Sequence, residues 1–307
     1  MLESFLTVGQ QVLMLFILIA VGFFCGKGKF LDEYSVKKIT DILLYIVTPC
    51  VIIRSFVREF DPNMLFGILV VAVSAVVIHL VSALVATLVF RNKDESRRRV
   101  LQFGTIFSNC SFMSIPLQQQ ILGNDGVLYG ATFVAVFNLI VWSYGVALMQ
   151  GGGKNLSVKK ILLNPCVICV LLGVAIFLWS IPIHEIIYKP ISYLADLNTP
   201  MPMLVIGYYL SEGKIRDSFT DIDAYAAVFL RIVILPAVSL LTLYICGVRG
   251  DMLTSITISV SAPMAAMTTM FAAKFERDTE LSVKLVTLST LLSMITMPIF
   301  VAIAQKI

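Results

Sequence analysis

Residues 107–120 read FSNCSFMSIPLQQQ, and this polar stretch lies inside a segment otherwise apolar enough to cross a membrane. Ser108, Asn109, Ser111, Ser114 and Pro116 occupy its middle. Polar side chains at bilayer depth are costly unless they face protein or a water-filled cavity, so their presence marks a site before it marks a fold. Proline removes a backbone donor and disturbs the carbonyl one turn earlier, which predicts a helix break between Asn109 and Pro116.

The chain around this stretch is 307 residues long, 58% hydrophobic and 14% charged, with a mean hydropathy of +0.92. That composition excludes a soluble domain and defines a polytopic membrane protein in a lipid bilayer. Helical spans of roughly 20 residues are needed to cross the hydrocarbon core. The apolar pattern predicts ten of them, at 8–26, 36–57, 64–90, 99–122, 125–149, 159–180, 187–211, 224–247, 252–273 and 280–305.

Lys and Arg concentrate on the cytoplasmic side of short loops. With the N-terminus outside, the inner loops carry 16 basic residues and the outer loops 4, which predicts both termini outside. The net charge of +4 is explained by topology and requires no nucleic acid. Cys166 and Cys169 form a CxxC in an apolar helix without a second ligand pair, so neither a metal nor a redox centre is expected. No HExxH, GxSxG or P-loop motif is present, and an enzyme is not expected.

Internal symmetry is also legible. Gly22 and Gly173 are 151 positions apart, as are Thr48-Pro49 and Thr199-Pro200, while Pro116 and Pro263 are 147 apart. The expected organisation is one five-helix repeat over 1–150, a linker at 151–158 and a second repeat over 159–307. An odd number of spans per repeat forces the second copy to enter from the opposite side. Inverted repeats of this kind place a shared site at the midplane, built from interrupted helices. The sequence SVSAPMAAMTT gives span nine such an interruption, with Ser261, Ala262 and Pro263 at its centre. Half-helix N-termini there would present unpaired N–H groups to an anion.

Three ionisable residues inside spans are further candidates. Lys284 lies four residues after Glu280, where it either snorkels to the cytoplasm or lends a positive charge to the crossover. Arg231 lies deeper and reaches either the inner interface or a carbonyl at a helix break. Asp196 has no basic residue four positions before it, which makes it a candidate proton carrier. The alternative for Asp196 is a structural carboxylate paired with Arg231 or capping a turn. His79 is expected to make an interhelical hydrogen bond, and Gln118 to Gln120 to lie at the outer interface or vestibule.

At this point the sequence resembles a bacterial member of the auxin efflux carrier family, the group of the PIN auxin exporters and of permeases for malate or malonate. The resemblance runs through LLYIVTPCVIIRSF (43–56), SNCSFMSIPLQQQILGNDGVLYG (108–130), LLNPCVICVLLG (162–173), LNTPMPMLVIGYYLSEG (197–213) and SAPMAAMTTMFAAKFERDTELSVKLVTLSTLLSMITMPIF (261–300). It implies an all-α fold of ten transmembrane helices in two inverted repeats, like that of the bile acid sodium symporters. Helices four and nine would be broken and cross at the midplane, with Asn109, Pro116 and Pro263 as crossover residues. Helices one, two, six and seven would form a scaffold. Here Cys110 to Ile115 replace a glycine-rich pattern, and the long hydrophilic central loop of the plant exporters is absent.

The expected function is secondary active transport of a small organic acid by alternating access in a bacterial inner membrane. Expected substrate contacts are Ser108, Asn109, Cys110, Ser111, Ser114, Pro116, Ser261, Ala262, Pro263, Thr48, Pro49, Thr199 and Pro200. No cofactor is expected. Coupling to a proton or a sodium ion and assembly as a homodimer are both compatible with the sequence. A passive anion channel or facilitator is the alternative, and a membrane receptor a more distant one.

Overall fold

In a computed structural model, residues 2–151, 165–212 and 221–307 are described. The expected 151–158 linker, the start of the second repeat and Lys154, Lys159, Lys160, Lys214 and Arg216 lie outside the described residues, apart from Gly151. Among those described, the chain is all-helical; its one bridge of strand type joins Ser108 to Met264. The helices are α1 (Leu2–Lys27), α2 (Glu33–Phe56), α3 (Pro62–Val89), α4 (Glu95–Ile106), α5 (Cys110–Gln150), α6 (Pro165–Leu178), α7 (Glu185–Asp196), α8 (Pro200–Glu212), α9 (Ile222–Ile245), α10 (Gly250–Ser261), α11 (Met267–Lys274) and α12 (Thr279–Ala304). Five of them, α2, α3, α5, α9 and α12, are long and apolar enough to cross a membrane. Along α3, Phe66, Leu69, Val73, Leu80, Leu84 and Leu88 are exposed. An apolar surface of this kind suits hydrocarbon as its solvent.

At 41 residues, α5 would measure about 60 Å if straight, twice the hydrocarbon thickness. It is folded at Gly123, whose φ of 66° and ψ of −151° lie where a side chain is disfavoured. This is where the sequence predicted the turn between spans four and five.

Proline acts differently from the expectation. Three π-helical turns, Leu43–Val47, Cys110–Ser114 and Leu230–Ile234, are each followed two residues later by a proline, namely Pro49, Pro116 and Pro236. The carbonyl that a proline ring would strike belongs to the residue four before it. Those residues, Tyr45, Phe112 and Ile232, all lie within the widened turns, so the π geometry absorbs the clash and the helix continues. Pro116 therefore sits inside a continuous helix, and the break predicted between Asn109 and Pro116 lies instead at Phe107–Asn109.

The closest packing joins α1 to α8. A Cβ on Gly22 would fall 2.6 Å from the Leu204 Cα, and one on Gly207 would fall 2.6 Å from the Phe23 amide nitrogen, so both positions admit glycine alone without movement. Elsewhere, Gly173 of α6 lies against the buried Phe56 of α2. A largely aromatic core, with Phe103, Phe107, Phe133, Phe137 and Phe271, fills the space around α4, α5 and α11.

Ion pairs gather at the helix ends. Arg97 reaches Asp221 at 2.5 Å and Asp223 at 3.2 Å, and Lys93 reaches Asp223 at 2.7 Å, tying the start of α4 to the start of α9. Beside them, Arg99 and Arg277 donate to the terminal carbonyls of α5, at Leu148 and Met149 respectively. Arg58 pairs with Asp125 at 2.6 Å beside the Gly123 fold.

Candidate functional site

Two interrupted helices meet at the centre of the site. The chain leaves helical geometry after Ile106 and resumes it at Cys110; it leaves again after Ser261 and resumes at Met267. The two unwound segments run antiparallel and satisfy each other. The Asn109 amide donates to the Pro263 carbonyl at 2.8 Å, and the Ala265 amide to the Phe107 carbonyl at 2.9 Å. A third amide, that of Met264, donates to Ser289 Oγ of α12 at 3.1 Å. Buried backbone groups must be paired, and here each break supplies partners for the other.

Beside the crossing lies a cavity of about 10 Å³, lined by Thr48, Ser108, Asn109, Ser111, Phe112, Phe137, Asn138, Ala265, Ala266 and Met267. No charged side chain lines it. Its polarity comes from hydroxyls, two side-chain amides and the first turns of α5 and α11, where the Thr268 and Thr269 amides already donate to the Ala265 and Ala266 carbonyls at 2.9 and 3.2 Å. Thr48 Oγ1 is buried without a partner among the described residues, and Asn109, 4% exposed, spends its side chain on no described neighbour. Asn138 gives Nδ2 to the Val134 carbonyl at 2.9 Å, which leaves its oxygen free. Such a volume holds about one water molecule, so this conformation is closed around its polar groups.

The structure thus brings together Thr48, Ser108, Asn109 and Ser111 of the sequence-predicted set. It separates others from the cavity. Ser114 and Ser261 both donate to the Ile258 carbonyl, at 3.2 and 3.3 Å, and hold α10 together at its end. Cys110, Pro49 and Pro116 are buried outside the lining; Ala262 and Pro263 shape the second break through their backbone. Thr199 and Pro200 are half-buried at the α7–α8 turn, and the residue of that turn which reaches the crossing is Asn198, whose Nδ2 approaches the Ser111 carbonyl at 3.5 Å. Pro116 and Pro263 do not correspond across the crossing, since Ser108 faces Met264 and Pro116 comes later, within α5.

The charged candidates also settle into defined contacts. Asp196 pairs with Arg54 at 2.5 Å and its side chain is 67% exposed, which overturns its reading as an unpaired carboxylate at depth and its alternative pairing with Arg231. Lys284 pairs with Glu280 at 2.9 Å within α12. Arg231, 2% exposed, donates to the carbonyls of Thr105, Ile106 and Val260, which realises the helix-break alternative. His79 bonds within its own helix, to the Ala75 carbonyl at 2.7 Å, and packs against Phe107, Phe133 and Phe137. Gln118 is fully buried and donates to the Ser255 carbonyl and Ser259 Oγ, so it joins α5 to α10 and is not interfacial. Cys169 is a free thiol, and the Cys166 side chain lies outside the described residues.

Sequence reasoning missed Asn138 and Asn198. Asn138 carries the same signal as Asn109, an amide inside the apolar run ATFVAVFNLIVW, and the rule applied to residues 107–120 would have found it. The contact of Asn198 joins positions 87 residues apart and leaves no local trace.

A bundle of apolar helices in which two interrupted helices cross beside a closed polar cavity defines a membrane transport protein. Residues 7–301 match the family described as "Membrane transport protein", and the chain belongs to that family, the group of the auxin efflux carriers. It is similar to an uncharacterized transporter of Methanothermobacter thermautotrophicus, 23% identical across 95% of this chain and 96% of the relative. A second uncharacterized transporter, from Methanocaldococcus jannaschii, is 22% identical across 94% and 96%. Auxin efflux carrier component 1 of Arabidopsis thaliana is 28% identical over 121 residues, which is 38% of this chain and 20% of the plant protein. The family and these relatives are membrane transporters, so this chain is not an enzyme.

Proposed function

We propose that the protein is a secondary active transporter that moves a small organic anion by alternating access around the crossing of α4–α5 with α10–α11. The observation that carries this reading is the pairing of the two breaks, which turns two helix N-termini and Asn109 onto one cavity without any carboxylate in its lining. Helix N-termini and hydroxyls recognise carboxylates, and a site free of negative charge favours them. The closed cavity suits alternating access better than an open pore.

An inverted repeat of ten spans is supported by the packing of its glycines. Shifting Gly22 and Phe56 by 151 positions gives Gly173 and Gly207, and the contacts follow the same rule: α1 meets α8 through Gly22 and Gly207, and α6 meets α2 through Gly173 and Phe56. These four helices form the scaffold of the proposed cycle, and the crossing helices the moving part. The basic cluster of Lys93, Arg97, Arg99 and Arg277 faces the cytoplasm in this reading, with both termini outside.

The test is uptake into proteoliposomes of radiolabelled L-malate, malonate and indole-3-acetate, with a thermal-shift screen of the same acids. A ligand that binds only the folded state must raise its stability. Uptake of at least one acid that saturates with concentration is expected. Absence of both uptake and thermal shift for mono-, di- and aromatic carboxylates would reject the anion reading.

A further inference from the structure

Arg231 lies outside the cavity lining and yet contacts both interrupted helices. It sits in the π-turn Leu230–Ile234 of α9, and no carboxylate among the described residues pairs with it. Its Nη1 donates to the Thr105 and Ile106 carbonyls at 3.3 and 3.2 Å, and Nη2 to the Val260 carbonyl. These carbonyls close the C-terminal turns of α4 and α10, the two helices that run into the crossing and stop. One fixed cation therefore serves both negative helix ends. A planar fork suits this position, because it can hold acceptors from two separate helices at once, whereas an ammonium acts as a point charge.

Four helix ends converge at the crossing, two positive and two negative. Each carries about half an elementary charge, so the two C-termini together present about one negative charge, matched by one guanidinium. With that pair neutralised, the N-termini of α5 and α11 are left to set the field in the cavity.

We propose that Arg231 is a built-in cation that fixes the sign of the site: it turns the cavity toward anions, and it fills the carbonyl cluster that a coupling sodium ion would otherwise occupy. It is a positioning residue, acting through the helix ends without touching the substrate. The anion half of this inference rests on the proposed function, while the sodium half stands without it.

The test compares full-length wild type with Arg231→Ala, Arg231→Met and Arg231→Lys. Melting is followed in NaCl and in choline chloride of equal ionic strength, with and without millimolar methylguanidinium. Wild type and Arg231→Lys are expected to melt alike in the two salts. Arg231→Ala is expected to melt lower in choline and to be raised saturably by sodium or by methylguanidinium, either of which refills the emptied carbonyl cluster. In proteoliposomes without sodium, Arg231→Met is expected to raise KM for the transported acid about tenfold, or ~1.4 kcal/mol, with a smaller change in kcat. A purely structural role would lower kcat through loss of active protein and leave KM in place. Specific stabilisation of wild type by sodium, or an Arg231→Ala protein that neither cation restores, overturns the proposal. Should the neutral variants fail to fold, the wild-type salt comparison still decides the sodium half. A wild type that carries no organic acid overturns the proposed function instead, and leaves the salt comparison to judge Arg231.

Discussion

Asn109→Ala separates a residue that holds cargo from one that holds helices together. The Asn109 side chain is buried at the cavity and makes no hydrogen bond to another described residue. Its truncation orphans no internal partner, and its backbone, at φ −78° and ψ 46°, asks nothing special of the side chain. The empty protein should therefore keep its stability to within about 0.5 kcal/mol, the range of substitutions that break no internal feature. A hydrogen bond to a charged ligand contributes roughly 1.5–3 kcal/mol, so under the proposed function affinity for the acid should fall roughly 10- to 150-fold. Melting of the purified variant with and without the acid, together with initial uptake rates in proteoliposomes, reads both quantities. An Asn109→Ala protein that melts more than about 2 kcal/mol lower, yet binds and carries the acid normally, would show that Asn109 is interhelical glue and refute the site.

Three further outcomes are expected. Gly207→Ala places a methyl against the α1 backbone and should cost about 1–3 kcal/mol, visible as a lower melting temperature; wild-type melting would mean that α1 and α8 yield to one another. Asp196→Asn should leave the pH profile of uptake unchanged, because the exposed pair with Arg54 contributes less than about 1 kcal/mol and lies away from the cavity; a flattened profile would restore a coupling role. At Asp221, burial works to raise the carboxyl pKa, but the Arg97 hydrogen bond and the Ala224 and Asp223 amides outweigh it and hold the group below its ordinary 3.8. Its contribution is thus complete above pH 3.8 and is lost as pH falls through the lower folded-state value. Asp221→Asn keeps an N-cap but removes the charge, so it should melt lower at pH 7 and converge with wild type only in strong acid; equal melting at pH 7 would void the argument.

The all-helical, membrane-spanning character of the chain was legible because membranes write it in large letters: long apolar runs and polar residues among them. Ser108, Asn109 and Ser111 of the opening stretch, polar where polarity is expensive, line one cavity with Thr48. What misled was local reasoning about proline. Pro116 has the stronger intrinsic claim to break a helix, but a π-turn accommodates it, and the break falls where another segment supplies hydrogen-bond partners. Arg54 with Asp196, Gln118 with Ser259, and Arg231 with Val260 are likewise pairings across the fold, invisible to any window along the chain. Periodicity reports which residues avoid water; it does not report which of them meet.

The crossing itself has a consequence for how such a transporter can change over generations. The bonds that join the breaks run from main chain to main chain, at Asn109 to Pro263 and at Ala265 to Phe107. Their donors and acceptors belong to every amino acid, except that a proline cannot donate. Substitutions other than proline at 108, 111, 265 and 266 that respect the local packing therefore leave these donors and acceptors in place. The frame of the crossing and the lining of the cavity are thus written in different atoms, and a side-chain change in the lining leaves the bonds of the crossing in place.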